Sequence, residues 1–269
     1  METFNSGGLK IAFDDIAAHG PANGTIVLVH GFATNRDENW KRLGWYTAFA
    51  RKGYRVLAFD HRGHGESDKP HAAAAYGRDA MAGDILGLMD HVGVGQADVM
   101  GYSMGARLSL EAALNHPDRV SNLILGGIGG RMLPGGEAGE AAPTSTMTMS
   151  QAMEAEDPSI ITEPTLKGFR QFADQQGEDR LALAACSKGQ GAPVDVDRLA
   201  GLSMPVLVVA GSRDQLAGDP QRLADAIPGA KCVSLPGCDH FSAIPHALFK
   251  AAVFDFFDGW LEEMPEHLR

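Results

Sequence analysis

The sequence predicts an α/β protein in which helices flank a mostly parallel β-sheet. Short apolar runs of four to six residues alternate with longer amphipathic stretches along most of the 269-residue chain. Such strand–helix alternation is typical of a parallel sheet whose crossover helices cover both faces. Several of the apolar runs also end at a glycine or a polar residue, as strands do where they pass into loops.

The first half of the chain follows this alternation closely. Residues 9–16 can supply an antiparallel edge hairpin before the parallel strands begin. One predicted helix, residues 76–92, repeats apolar side chains at i, i+3 and i+4 spacing. The predicted strands here are residues 26–29, 54–59, 97–100 and 120–125, and the predicted helices are residues 40–52, 76–92 and 104–115.

The second half contains one long segment without an evident strand, residues 131–194. Helical stretches are predicted in it around residues 150–156, 163–176 and 179–186. A helical insertion between two strands is typical of a cap over one edge of a sheet. We therefore predict a core domain of residues 1–130 and 195–269, with a helical cap of residues 131–194. The later core elements are strands 205–210 and 231–235 and helices 220–226 and 247–263.

Composition and charge limit the possible functions. Hydrophobic residues make up 44% of the chain, which is enough apolar surface to form a core and argues against disorder. The formal net charge is −11, from 23 Lys and Arg against 34 Asp and Glu. An acidic surface has no electrostatic attraction to nucleic acid or to anionic membranes. We therefore expect a small-molecule substrate, with no nucleic acid and no membrane as partner.

Cysteine usage indicates a reducing compartment. Cys186, Cys232 and Cys238 form no CxxC pair, and an odd number of thiols is not a disulfide framework. The opening residues lack the basic-then-apolar order of a signal peptide, and no apolar run approaches the ~18 residues of a membrane span. These features predict a cytoplasmic protein.

The clearest chemical signal is the segment GYSMG at residues 101–105. It follows a predicted strand and opens a predicted helix. A sharp strand-to-helix turn strains the backbone of its central residue and needs small neighbours, which explains the two glycines. The turn would expose the hydroxyl of Ser103 and direct the amide of Met104 into the same space. We therefore predict that Ser103 is a nucleophile.

A serine hydroxyl needs a base, and the base needs a carboxylate that orients it. His240 lies just after the last predicted strand, on a loop at the carboxyl edge of the sheet. Asp214 follows the preceding buried strand, with Asp219 and Asp239 as alternatives. The order Ser103, Asp214, His240 along the chain is one of the known orders for such triads.

The segment HGFA at residues 30–33 follows an early strand and supplies a second predicted feature, an oxyanion hole. The backbone N–H of Phe32 would join that of Met104, and the two would donate to a tetrahedral oxyanion. His30 is interpreted as a structural partner of this loop rather than as a base.

Five ordered motifs together resemble the α/β-hydrolase superfamily, in its capped, esterase-like branch with a serine nucleophile. The resemblance spans nearly the whole chain and implies an eight-stranded, mostly parallel sheet with a helical cap inserted after the sixth strand. One departure is Ala106, where many relatives have a second glycine. The motifs are HGF at 30–32, FDHRGHGESDKP at 59–70, GYSMG at 101–105, GSRD at 211–214 and GCDHF at 237–241.

The resemblance also bears on two other segments. Some relatives place the triad acid after the preceding strand, but residues 126–130 here read GGIGG and contain no carboxylate, which favours Asp214. The glycine-rich residues 62–68 are interpreted as a structural turn. They lack a dinucleotide or Walker context, and His61 and His64 have no clear third ligand at metal-site spacing.

The residue type at the nucleophile position limits the classes of reaction that we expect. Haloalkane dehalogenases and epoxide hydrolases use aspartate at the elbow, whereas this chain has Ser103. We therefore expect hydrolysis of carboxylic esters of small to medium acyl groups through an acyl-enzyme on Ser103. This chemistry requires no cofactor and no metal, and the expected assembly is a monomer or a homodimer.

Three alternatives stay open at this stage. The elbow segment also resembles that of the lyase 2-succinyl-6-hydroxy-2,4-cyclohexadiene-1-carboxylate synthase, whose anionic substrate would need Arg107, Arg131 or Arg170. A second alternative is a hydrolase of carbon–carbon bonds in ring-cleavage products. The third is a hormone receptor of this fold, which binds without turnover.

Overall fold

The computed structural model describes residues 1–135, 147–189 and 195–262. Its eight strands form one sheet in the order β1-β2-β4-β3-β5-β6-β7-β8, which confirms the predicted fold class. The chain divides into two compact units, one of Met1–Gly95 and Ala141–Ala192 and the other of Gln96–Glu140 and Pro193–Arg269. The strands are β1 Glu2–Ser6, β2 Leu9–Ile16, β3 Gly24–Val29, β4 Tyr54–Phe59, β5 Ala97–Tyr102, β6 Val120–Gly126, β7 Val206–Gly211 and β8 Lys231–Leu235.

In the first unit, β1 and β2 form the predicted antiparallel hairpin, and β2 pairs antiparallel with β4. Strands β3 and β4 run parallel, with Val29 opposite Phe59. Both strands are fully buried over their last four residues, as expected of strands covered on both faces. The helices of this unit are α1 Trp45–Arg51, α2 Arg78–His91, α4 Met149–Glu154, α5 Pro164–Gln176 and α6 Arg180–Gly189.

In the second unit, β5, β6, β7 and β8 are all parallel. Helix α3 packs on β5 and β6, whereas α8 and α9 pack on β7 and β8. Every residue of β5 and β7 is buried. The loops that follow β5 and β7 therefore begin from strands that are held in the buried core. The helices of this unit are α3 Met104–Asn115, α7 Val196–Leu199, α8 Pro220–Asp225 and α9 Ala247–Phe257.

Residues 40–52 do not form the single helix that the sequence predicts. A π-helical turn, Asp37–Lys41, is followed by α1, which begins at Trp45. Between them Gly44 adopts a left-handed φ of 74°. This conformation interrupts the helical hydrogen bonds and is easily reached by glycine alone. The apolar periodicity continues across the interruption, so hydrophobic pattern alone did not reveal it.

The three helices predicted between residues 131 and 194 are present as α4, α5 and α6, while residues 136–146 and 190–194 lie outside the described residues. The division into core and cap domains stays a prediction. Within this segment Arg170 is 3% exposed, and its Nη1 donates to the carbonyls of Ala152 and Ala155 at the end of α4. Its Nε donates to Asp174. Arg170 therefore stabilises α4 rather than offering a free cation to a substrate.

Glu178, between α5 and α6, ties this segment to the loops of the first unit. Its carboxylate accepts hydrogen bonds from the Gly65 amide at 2.8 Å and from Asn35 Nδ2 at 3.1 Å. Burial raises the pKa of Glu178 above its ordinary value. No helix within the described ranges combines the length and the apolar character that a membrane crossing requires.

Three histidines of the first unit, His30, His61 and His64, are completely buried and contact one another through their rings. His30 Nε2 accepts the amide of His61, so the imidazole links β3 to the turn after β4. This geometry agrees with a structural role for His30. Burial lowers the pKa of His30 well below its ordinary value, that of His61 to about 3 and that of His64 to about 4.

Acidification is therefore expected to destabilise the protein through this cluster. Because the folded histidines resist protonation, the unfolded chain binds more protons below its ordinary histidine pKa of about 6.5. Stability is then complete above about pH 6.5 and is lost as the pH falls toward the folded values, by at most about 1.4 kcal/mol per pH unit for each histidine. Urea unfolding between pH 7 and 4.5 measures the effect.

The variant His61→Gln isolates one member of the cluster. Its amide can still donate to the carbonyl of His30, which His61 Nε2 contacts at 3.0 Å, but it does not titrate. The stability difference between the wild type and His61→Gln should shrink on acidification. A constant difference over that pH range would contradict a lowered pKa for His61 in the folded protein. Buried carboxyls such as Asp60 are present in both proteins, so their contribution to the pH dependence cancels in the difference.

Candidate active site

The nucleophile candidate lies at a strained turn. Ser103 stands between β5 and α3 with φ 56° and ψ −114°, a conformation that L-residues rarely adopt. Its amide donates to the carbonyl of Gly126 at 2.8 Å, which anchors the turn to β6. A side chain at Gly101 would lie 2.4 Å from the Gly105 carbonyl, so the close approach of strand and helix requires glycine there.

Three residues distant in sequence form one hydrogen-bonded chain in the second unit. Ser103 Oγ is 2.9 Å from His240 Nε2, and His240 Nδ1 is 2.8 Å from Asp214 Oδ2. The His240 residue is 6% exposed and Asp214 is 4% exposed. With Nδ1–H donating to Asp214, Nε2 is left as the acceptor of the serine proton. The site can therefore deprotonate Ser103 and stabilise the imidazolium that results.

The carboxylate of Asp214 is fixed on both of its oxygens. While Oδ2 contacts His240, Oδ1 accepts the amides of Leu216 at 3.0 Å and Ala217 at 2.9 Å. The turn after β7 thus fixes the orientation of the Asp214 carboxylate independently of its contact with His240. The two amides could not be anticipated from residue type, because they belong to the backbone.

The two alternative acids have other partners. Asp219 caps the N-terminus of α8 by accepting the amide of Gln221 at 2.9 Å. Asp239 accepts the amides of Phe241 and Ser242 within its own turn, and the hydrogen bonds from Ser242 lower the pKa of its carboxyl. The structure therefore pairs the imidazole with Asp214, the acid that the sequence favours.

The loop that presents His240 is attached to the loop that presents Asp214. The amide of Arg213 donates to the carbonyl of Cys238 at 2.9 Å, and the amide of Gly237 donates to Ser212 Oγ at 2.8 Å. These contacts join the segments GSRD (211–214) and GCDHF (237–241). The distance between acid and base is therefore set by the ends of β7 and β8.

Tyr102, the residue before Ser103, makes a contact that the sequence analysis did not predict. Its hydroxyl donates to the backbone carbonyl of His240 at 2.5 Å. Its ring centroid is 5.5 Å from that of His240. Tyr102 is 5% exposed, and burial raises its pKa well above the ordinary value. The hydroxyl therefore stays protonated and available as a donor.

The two residues predicted to form an oxyanion hole belong to different units. Met104 is the first residue of α3, where helix amides lack intrahelical acceptors and favour negative charge. Phe32 follows β3, and its ring centroid is 5.9 Å from that of Phe169 in α5. The next residue, Ala33, is buried with a left-handed φ of 59°. The joint role of Phe32 and Met104 stays a prediction.

Among the residues that the structure describes, no group of three or more His, Cys, Asp or Glu side chains could hold a metal ion. His61 and His64 instead belong to the buried cluster described above. His64 Nδ1 lies 3.1 Å from the carbonyl of Arg62, and Arg62 itself pairs with the buried Asp84. The glycine-rich segment 62–68 thus has the features of a structural turn.

Comparison with known proteins places the chain in a family. A family model described as the alpha/beta hydrolase fold matches residues 24–161, just over half of the chain. The dihydrolipoyllysine-residue acetyltransferase component of an acetoin cleaving system from Pseudomonas putida is 33% identical, over 80% of this chain and 58% of that relative. A 2-hydroxymuconate semialdehyde hydrolase from Pseudomonas sp. strain CF600 is 28% identical, over 93% of this chain and 90% of the relative.

A solved structure supports the same fold. The enol-lactonase from Burkholderia xenovorans LB400 superimposes with a TM-score of 0.71 at 23% identity, covering 98% of this chain and 100% of that one. The chain spans 32–58% of the length of four curated relatives that match it at 33–37% identity. Its own site must therefore support any statement about its reaction. By its matched residues and its sheet, the chain belongs to the α/β-hydrolase fold family.

Proposed function

We propose that this protein hydrolyses carboxylic esters of small to medium acyl groups through an acyl-enzyme on Ser103. The supporting observation is the hydrogen-bonded chain from Ser103 Oγ through His240 to Asp214, with contacts of 2.9 and 2.8 Å. A serine at the strained turn, rather than an aspartate, favours attack on a carbonyl carbon.

In the proposed reaction, Ser103 Oγ attacks the ester carbonyl while His240 Nε2 takes the hydroxyl proton. Asp214 stabilises the imidazolium, and the amide of Met104 at the N-terminus of α3 donates to the oxyanion. The carbon–oxygen bond to the alcohol breaks as His240 returns the proton to the departing oxygen. A water that gives its proton to His240 then attacks the acyl-enzyme, which releases the acid and restores Ser103.

Hydrolysis of p-nitrophenyl acetate, butyrate and octanoate tests this proposal. We expect saturable release of p-nitrophenol, and the preferred chain length should report the size of the acyl pocket. A fluorophosphonate probe should modify Ser103 stoichiometrically, as peptide mass mapping would show. Folded protein that neither turns over any ester nor reacts with the probe would contradict the proposal.

A second candidate is hydrolysis of a carbon–carbon bond next to a carbonyl group. It is favoured by the match to the 2-hydroxymuconate semialdehyde hydrolase, which extends over 90% of that relative. The same three residues would serve: one fragment would depart as a stabilised carbanion and take a proton from His240, and water would hydrolyse the remaining acyl-enzyme. Decay of the visible absorbance of 2-hydroxymuconate semialdehyde, at a kcat/KM well above that for the best ester, would make this the principal activity.

The lyase alternative has less support from the described contacts. One of the three arginines considered for an anionic substrate, Arg170, donates to two carbonyls of α4 and to Asp174. Its guanidinium is thus engaged within the helical segment. We therefore do not propose that reaction for this chain.

A further inference from the structure

We propose that Tyr102 is a positioning residue that holds the catalytic base, His240, at hydrogen-bonding distance from the nucleophile, Ser103. This inference rests on the proposed function, because it assigns a role within the same Ser103–His240–Asp214 site. Tyr102 immediately precedes Ser103 in the chain, yet its side chain contacts the backbone of a residue 138 positions later.

The first step in the argument is the hydrogen bond itself. The Tyr102 hydroxyl donates to the carbonyl of His240 at 2.5 Å in buried surroundings, where a hydrogen bond is stronger than in water. The imidazole is already held by Asp214 at Nδ1 and by Ser103 at Nε2. The tyrosine adds a third point of attachment, on the main chain, which limits movement of the whole His240 residue.

The second step is that two glycines leave room for the Tyr102 ring. A side chain at Gly126 would lie 2.8 Å from Tyr102 Cδ2 and 2.7 Å from Phe249 Cζ. A side chain at Gly127 would lie 2.8 Å from Tyr102 Cζ. Any larger residue at these positions would displace the aromatic ring. The two glycines at the end of β6, Gly126 and Gly127, thus form the surface against which the Tyr102 ring packs.

The third step is that the same strand end also holds the nucleophile. The Gly126 carbonyl accepts the amide of Ser103 at 2.8 Å, and the amide of Gly127 donates to Val209 in β7 at 2.8 Å. Phe249 of α9 also packs beside Tyr102, with ring centroids 6.0 Å apart. Backbone strain at Ser103 and the position of His240 are therefore coupled through one rigid side chain.

Tyr102→Phe removes the hydroxyl and keeps the ring on its glycine surface. We expect kcat/KM for the best p-nitrophenyl ester to fall roughly fivefold, the factor that corresponds to one typical net hydrogen bond. The rate of Ser103 modification by a fluorophosphonate should fall similarly. The strongly deshielded proton of the His240 Nδ1–H···Asp214 hydrogen bond should broaden in the proton NMR spectrum, because the imidazole exchanges between orientations.

Tyr76→Phe is the matched control. Its hydroxyl also donates to a backbone carbonyl at 2.5 Å, that of Pro70, but in the first unit and outside the proposed site. Both variants should lose comparable thermal stability, whereas only Tyr102→Phe should lose activity and the sharp Nδ1–H signal. If the two variants match each other in rate and in spectrum, the tyrosine is merely structural and the inference is wrong.

The proposed function and this inference fail in different ways. An Nδ1–H signal that depends on Tyr102, in a protein that hydrolyses no ester, would leave the positioning role standing and overturn only the substrate class. Ester turnover that requires Ser103 but is indifferent to the Tyr102 hydroxyl would overturn only the positioning role. The NMR measurement needs no substrate and separates the two cases.

Discussion

Ester hydrolysis by the Ser103→Ala variant is expected to fall by at least about 10⁴-fold in kcat/KM. The substitution removes the attacking oxygen, and His240 then has no hydroxyl to deprotonate at 2.9 Å. The fold should persist, because alanine keeps the amide that donates to Gly126 and the small side chain that the strained turn accepts. Steady-state kinetics and a thermal melt of the same preparation measure both expectations.

Ser109→Ala is the control for this loss. Ser109 lies on the same helix, α3, and its buried hydroxyl donates to the Gly105 carbonyl at 2.8 Å. Its variant should keep most of the activity while losing a comparable hydroxyl. Retained turnover in Ser103→Ala would contradict the proposed mechanism outright. Equal losses in the two variants would mean that α3 packing, and not a nucleophile, had been disturbed.

Replacing Asp214 with asparagine should lower kcat by about 10⁴-fold with little change in stability. The side-chain oxygen of asparagine can still accept the amides of Leu216 and Ala217. Its NH2 group, however, would then face His240 Nδ1 and donate to it. The imidazole proton would then lie on Nε2, and a protonated Nε2 cannot accept the proton of Ser103. The kinetic loss therefore follows from the wrong tautomer rather than from unfolding.

Asp219→Asn provides the corresponding control, since asparagine also caps helices well and should preserve α8. That variant is expected to behave like the wild type in kcat. A silent Asp214→Asn variant would show that the carboxylate does not orient the base. A severe loss in Asp219→Asn together with a mild one in Asp214→Asn would reassign the acid.

Much of the site could be predicted because each of its side chains lies on the loop or turn after one of the parallel strands. Ser103 comes after β5, Asp214 after β7 and His240 after β8, and parallel strands present their carboxyl ends along one edge. The acid was the least certain of the three, because three aspartates lie near the end of β7 or β8. In the structure, the 2.8 Å contact between Asp214 Oδ2 and His240 Nδ1 distinguishes Asp214 from the other two.

Other features of the structure left no signal in the apolar periodicity of the sequence. The left-handed conformation of Gly44 divides a helix that apolar spacing alone would continue. Arg170 is suited to a substrate carboxylate by residue type, but its environment in the folded chain directs it to the carbonyls of Ala152 and Ala155. Residue type states what a side chain can bind, whereas packing decides what it does bind.

By itself, the sequence determined the strand–helix order, the strained serine turn and the identity of the three hydrogen-bonding side chains. These are local properties, set by hydrophobic period, by glycine at tight turns and by which residues follow a strand. Only the tertiary structure decided that the Tyr102 hydroxyl reaches the His240 carbonyl and that Gly126 and Gly127 leave room for its ring. The reason is physical: such contacts join different strand ends and loops, and their geometry exists only once the sheet has formed.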